Sequence, residues 1–222
     1  MQAESGGVRR PMAGRLAATI VTLVASSLGA QMPGAPILQN AWASPGVVGA
    51  IDYGGGNGSV YAGALAWASA TARFQLSGGF GARSQSGTGS NTVYGVRAAM
   101  PFGGAASPIG FGAFAGVGGG KTNKADSAAS NTQVPVGVAV GWRRAVGASH
   151  GFSVYASPAY VFLTGGKKGG GVFRSGVGVD LGITRALGAT VGAEFGAKRA
   201  AGLGGPTGTL WGIGVSYAFG KR

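Results

Sequence analysis

Between Thr209 and Phe219 the chain reads T-L-W-G-I-G-V-S-Y-A-F, which puts Trp211, Ile213, Val215, Tyr217 and Phe219 on one face and Leu210, Gly212, Gly214, Ser216 and Ala218 on the other. Side chains alternate across a strand, so this stretch predicts a strand with a broad apolar face and a narrow, mostly small one. The same period of two recurs back through the chain and predicts ten strands, at 47–53, 60–69, 72–83, 92–102, 108–118, 132–144, 152–163, 172–185, 189–198 and 209–219. Turn chemistry separates them. Long connections are expected at Gly54 to Ser59, Ser84 to Asn91, Gly119 to Asn131, Thr164 to Gly171 and Arg199 to Gly208. Short ones are expected at Ala70-Thr71, Gly103 to Ser107, Ala145 to Gly151 and Ala186 to Gly188. Segments of about ten residues with alternating hydrophobicity, joined by turns of unequal length, are the pattern of an all-β, antiparallel up-and-down transmembrane β-barrel with both termini on the short-turn side.

Phase assigns the faces. Outward sets include Tyr61, Leu65 and Trp67; Phe74, Leu76 and Phe80; Val134, Val136, Val138, Val140 and Trp142; and Phe173, Val177, Val179, Leu181 and Ile183. Aromatics collect at the strand ends. Trp67, Phe74, Phe102, Trp142, Phe152 and Phe219 belong to one rim, and Tyr61, Phe80, Tyr94, Tyr160, Phe162, Phe173 and Trp211 to the other. Two aromatic girdles around an aliphatic belt suit a bilayer with two polar interfaces; a soluble sandwich would bury such rings centrally. The inward sets are mostly Gly, Ala, Ser and Thr, punctuated by Gln75 and by a lumenal charge cluster of Asp52, Arg73, Arg97, Arg143, Arg174, Asp180 and Glu194. Isolated charge in an enclosed interior is costly, so each carboxylate is expected to pair with an inward Arg or with water. Asp180 and Glu194, on strands joined by a tight turn, are expected to share an Arg.

Composition changes the picture in three places. The 48 glycines and 9 prolines in 222 residues are a proportion typical of low complexity, but with 45% hydrophobic residues the chain cannot stay solvated. A glycine-lined barrel accounts for both. The absence of cysteine removes disulfides, thiol nucleophiles and thiolate metal sites. A net charge of +13 would suggest nucleic acid, but the basic residues do not interleave with the aromatics, so no nucleic-acid partner is expected. Residues 1–43 have the organisation of an export signal: Arg9, Arg10 and Arg15, then the apolar run Leu16 to Leu28, then Ala41-Trp42-Ala43 as a small-x-small site. The run is too short for the ~20 residues that span a bilayer. Cleavage after Ala43 is the first expectation and cleavage near Ala30 the alternative. One domain, 44–222, then remains.

Candidate chemistry is sparse. Ala115 to Thr122 (A-G-V-G-G-G-K-T) matches a relaxed phosphate-loop pattern, but Asn123 to Asn131 supplies no helix to hold the phosphate. His150, the single histidine, has no ligand cluster around it and no local acid to orient it, so neither a metal, nor a cofactor, nor a catalytic site is expected. Lys121, Lys124, Lys167, Lys168, Lys198 and Arg199 fall in or beside the long loops, where they would meet lipopolysaccharide phosphates or an acidic surface partner.

The leader, the alternating strands and the closing aromatic strand together resemble the small outer-membrane β-barrel proteins of Gram-negative bacteria, the broad OmpA, OmpX, OmpW and opacity-protein type. The resemblance covers Ser44 to Arg222. It implies an outer-membrane location, eight strands more often than ten, and a C-terminal strand (Trp211, Ile213, Val215, Tyr217 and Phe219) read by the barrel-assembly machinery. That family pattern ends on an aromatic residue, whereas here Gly220-Lys221-Arg222 follow Phe219. The expected role is structural or surface interaction (adhesion or envelope contact). The competing expectation is a narrow passive pore, anion-preferring because Arg outnumbers acid in the lumen.

Overall fold

A computed structural model describes residues 32–56, 58–85, 89–102, 107–120, 131–146, 150–164, 170–197 and 208–220. They form ten strands: β1 (Gly46–Gly56), β2 (Gly58–Ala68), β3 (Gln75–Gln85), β4 (Gly89–Pro101), β5 (Ile109–Gly120), β6 (Asn131–Val146), β7 (His150–Thr164), β8 (Gly170–Gly182), β9 (Leu187–Gly196) and β10 (Leu210–Phe219). Each strand pairs antiparallel with its sequence neighbours, and β1 pairs with β10 from Val47↔Phe219 to Gly55↔Trp211, so the barrel is closed. Closure leaves no strand edge unpaired, which is the condition for β-structure to cross a bilayer. Ten strands is the number read from the sequence, in place of eight.

Two of the connections expected to be long contract by half or more. The predicted loop from Gly54 to Ser59 is ladder, with Gly54↔Val60, Gly55↔Ser59 and Gly56↔Gly58 paired, and the predicted loop from Ser84 to Asn91 contracts in the same way to Gln85↔Gly89. Glycine and serine are weak strand formers, but the neighbouring strands offer the backbone partners here, and pairing overrides propensity. Gly56 and Gly58 turn the chain at φ of +150° and +119°, which a residue with a Cβ resists. At the opposite end the β2–β3 connection runs over 69–74, held by Ala72 N–H to Ser69 O at 2.8 Å and Ser69 N–H to Phe74 O at 2.9 Å.

The outer face is apolar. Ile51, Leu65, Leu76, Phe80, Val138, Phe173, Val191 and Val215 are all exposed, and Ile51 keeps 77% of its surface. Among the described residues, aromatic contacts fall within each girdle and not between them: Trp67–Phe74, Trp142–Phe152 and Tyr217–Phe219 at the end where β1 begins, Tyr53–Tyr61, Tyr53–Trp211 and Tyr160–Phe162 at the other. This is a transmembrane β-barrel of the outer-membrane type.

The interior is not lined by strand side chains alone. Residues 32–45 run inside the barrel ahead of β1, and Met32, Ile37, Leu38, Gln39, Asn40, Ala41, Trp42 and Ala43 are buried there. Four of the five apolar clusters among the described residues contain a member of this strap. Ile37 packs with Ala99, Phe114, Ala159, Val161 and Leu163, and Met32 with Val60, Ala62 and Val93; Leu38 meets Tyr155, and Ala41 and Trp42 meet Ala139.

Candidate functional site in the lumen

The strap runs through the lumen and meets side chains or backbone of β2, β4, β5, β6, β7, β8 and β9. Near the start of β1, Trp42 lies where inward positions of β5 and β6 carry glycine: a Cβ on Gly110 would come within 2.5 Å of the indole, and one on Gly141 within 2.8 Å. A Cβ does not approach non-bonded carbon that closely, so these two positions are small because Trp42 occupies the space. The Arg143 guanidinium lies 4.7 Å above the Trp42 ring and donates through Nε to Ser107 O at 3.3 Å.

Farther along, Asn40 places its Nδ2 2.7 Å from Ser153 Oγ and 2.6 Å from Asp180 Oδ2. Asp180 is fully buried, and its other oxygen accepts from Thr190 Oγ1 at 2.7 Å and from Tyr155 OH at 3.3 Å. Its partners here are neutral donors from three elements. Glu194 behaves differently. It accepts from Arg174 Nε in an ion pair in which both side chains are 2% exposed, and it also accepts from the Ile37 N–H. Arg174 further donates to Ala197 O at 3.1 Å and Gly208 O at 2.8 Å, so one side chain ties β8 to the segments flanking β9 and β10. Ser157 donates to Ile37 O at 2.9 Å, and the Gln39 N–H reaches Ser157 Oγ at 3.4 Å.

Of the residues expected to form a lumenal charge cluster, Arg174 and Glu194 meet in an ion pair. Asp52, Arg97, Arg174, Asp180 and Glu194 are buried, and Arg143 is half-buried toward the end where β1 starts. Arg73 is not among them: β3 begins at Gln75, and Arg73 lies exposed in the preceding turn. Asp180 and Glu194 do not share an arginine. Asp180 pairs in register with Thr190, whereas Glu194 faces Gly176 two steps away along the same face. The closing-strand residues Trp211, Ile213, Val215, Tyr217 and Phe219 all face outward and are exposed. Lys121, Lys124, Lys167, Lys168, Lys198 and Arg199 lie outside the described residues. His150 opens β7, exposed and paired with Val146. Ala115 to Gly120, the start of the phosphate-loop pattern, is the second half of β5 and not a loop. No group of three or more His, Asp or Glu side chains converges on a metal position among the described residues.

Sequence reasoning missed the strap and the groups that hold it. Tyr155, Ser153, Ser157 and Thr190 have inward phase, which is a weak signal. The polar pair Gln39-Asn40, just before Ala41-Trp42-Ala43, is the only mark in the chain that the segment meets polar partners.

No protein-family profile matches this chain, and no curated protein does. Among solved structures, it is similar to the N-terminal β-barrel domain of Pseudomonas aeruginosa OprF (13% identity over 78% of this chain and 96% of that one, TM-score 0.38). The translocator domain of the autotransporter NalP from Neisseria meningitidis (14% identity, 78% and 87%, TM-score 0.45) and the KdgM porin (11%, 78% and 99%, TM-score 0.40) are also similar.

Proposed function

We propose that this chain is an integral protein of the Gram-negative outer membrane whose barrel is a closed scaffold with a structural or surface-interaction role and no catalysis. The observation that supports this reading is the occupied lumen. A water-filled pore needs polar, hydrated walls, but here the inward Arg97, Arg174, Asp180 and Glu194 are each 2% exposed or less, and the strap hydrogen-bonds to Asp180 and Glu194. The apolar exterior supplies the membrane contact, β10 supplies the assembly signal, and the basic loop residues would supply contacts to lipopolysaccharide or an acidic partner.

Reconstitution into planar bilayers tests the reading. A closed scaffold inserts without conductance steps, while well-resolved anion-selective steps would replace it with the passive-pore reading. Changing Lys167 and Lys168 to Glu tests the surface role: retention on vesicles containing lipopolysaccharide should fall, and unchanged retention would remove those two residues from it.

A further inference from the structure

Residues 32–44 lie in the stretch where an export signal would end, yet they are built into the barrel as closely as any strand. Two of the lumen's carboxylates, Asp180 and Glu194, take donors from Asn40 and Ile37, and the Ile37 carbonyl takes the Ser157 hydroxyl. The wall is shaped to the strap as well. On β8 and β9 a Cβ at Gly176 would overlap the Ile37 carbonyl oxygen, and one at Gly192 would come within 2.7 Å of Leu38. With Gly110 and Gly141 against Trp42, four inward glycines on four strands leave room for this one segment. Removing it would take donors from two buried carboxylates and break up four of the apolar clusters, costs that burial without partners makes large.

We propose that Met32 to Ser44 stays in the mature protein as a lumen-filling strap, so that the export signal is cut upstream of Met32 and not after Ala43. The leader's own pattern agrees. The apolar run ends at Leu28, and Ala30 supplies a small residue two positions beyond it, whereas Ala43 lies fifteen positions beyond the run. Packing accounts for the small residues: Ala41 packs with Trp42 and Ala139, and Ala43 is buried inside the barrel. The inference rests on the closed-scaffold reading and supplies what closes it.

The test is the N-terminus and intact mass of the wild-type protein isolated from outer membranes. A chain that begins upstream of Met32 is expected, and one that begins at Ser44 overturns the proposal. Lodging is tested in the cysteine-free background by Ala41→Cys, whose single thiol should react with a maleimide at least about a hundredfold more slowly in the folded barrel than after denaturation, as for a site exposed only through opening. Equal rates, or no thiol at all, overturn it. Conductance separates the two ideas. A silent barrel that begins at Ser44 keeps the scaffold reading and overturns the strap. A conducting barrel that has the upstream N-terminus, and whose Ala41→Cys thiol stays protected, supports the strap and removes the scaffold reading.

Discussion

Replacing Arg174 by Met removes the positive partner of a carboxylate that is itself 2% exposed. Glu194 would keep the Ile37 N–H but lose its ion pair, and the Ala197 and Gly208 carbonyls would each lose a donor. Breaking a buried ion pair from one side costs about 3–5 kcal/mol, because the charge left behind stays desolvated after losing its opposite charge. At about 1.4 kcal/mol per power of ten, that lowers the folding equilibrium constant by roughly two to four powers of ten. Adding Glu194→Gln removes the stranded charge, and the amide oxygen still accepts from Ile37. The double variant should therefore recover about 2 kcal/mol or more of the single variant's loss. Urea unfolding in lipid vesicles, followed by the fluorescence of the lipid-facing Trp67, Trp142 and Trp211, reads both numbers. Single-variant losses under about 0.5 kcal/mol, or a double variant as unstable as the two single effects added, would refute the claim that this pair is dry and coupled.

Gly176→Ala drives a methyl group into the Ile37 carbonyl, whereas Gly63→Ala faces open space, so the first should cost about 1–3 kcal/mol and the second almost nothing; equal urea midpoints would mean the strap is not there. Ile51→Arg puts a charge at the middle of β1 on the lipid face and should destabilise the vesicle-folded barrel by about 2–4 kcal/mol, while a neutral result would contradict lipid contact at this position. Thr190→Val removes the 2.7 Å bond to Asp180 with little change in shape and should cost about 1–3 kcal/mol in the same unfolding assay; no change would show that Asp180 is satisfied without it.

The surface that meets lipid is legible in the chain alone. Alternation is a local property: once Trp211, Ile213, Val215, Tyr217 and Phe219 share a phase, they share a face whatever the partners of the strand. The count of ten strands, the outward sets and the two girdles all follow from that period, and each stands in the barrel. Where the strands end was less legible, since Gly54 to Gly56 and Gly58 have poor strand propensity and are held by ladder pairing, Gly54 and Gly55 from both sides and Gly56 by Gly58. Strand start settled the fate of Arg73, because beginning β3 at Gln75 leaves the arginine in the turn. The contents of the lumen, in contrast, emerge only on closure of the barrel. Inward phase says that Asp180 and Glu194 point inside, but their partners depend on register around the closed wall and on a segment that arrives from outside the strand pattern. Nothing periodic marks Ile37, Asn40 or Trp42, because an irregular strap takes its conformation from the walls around it and not from a repeat of its own.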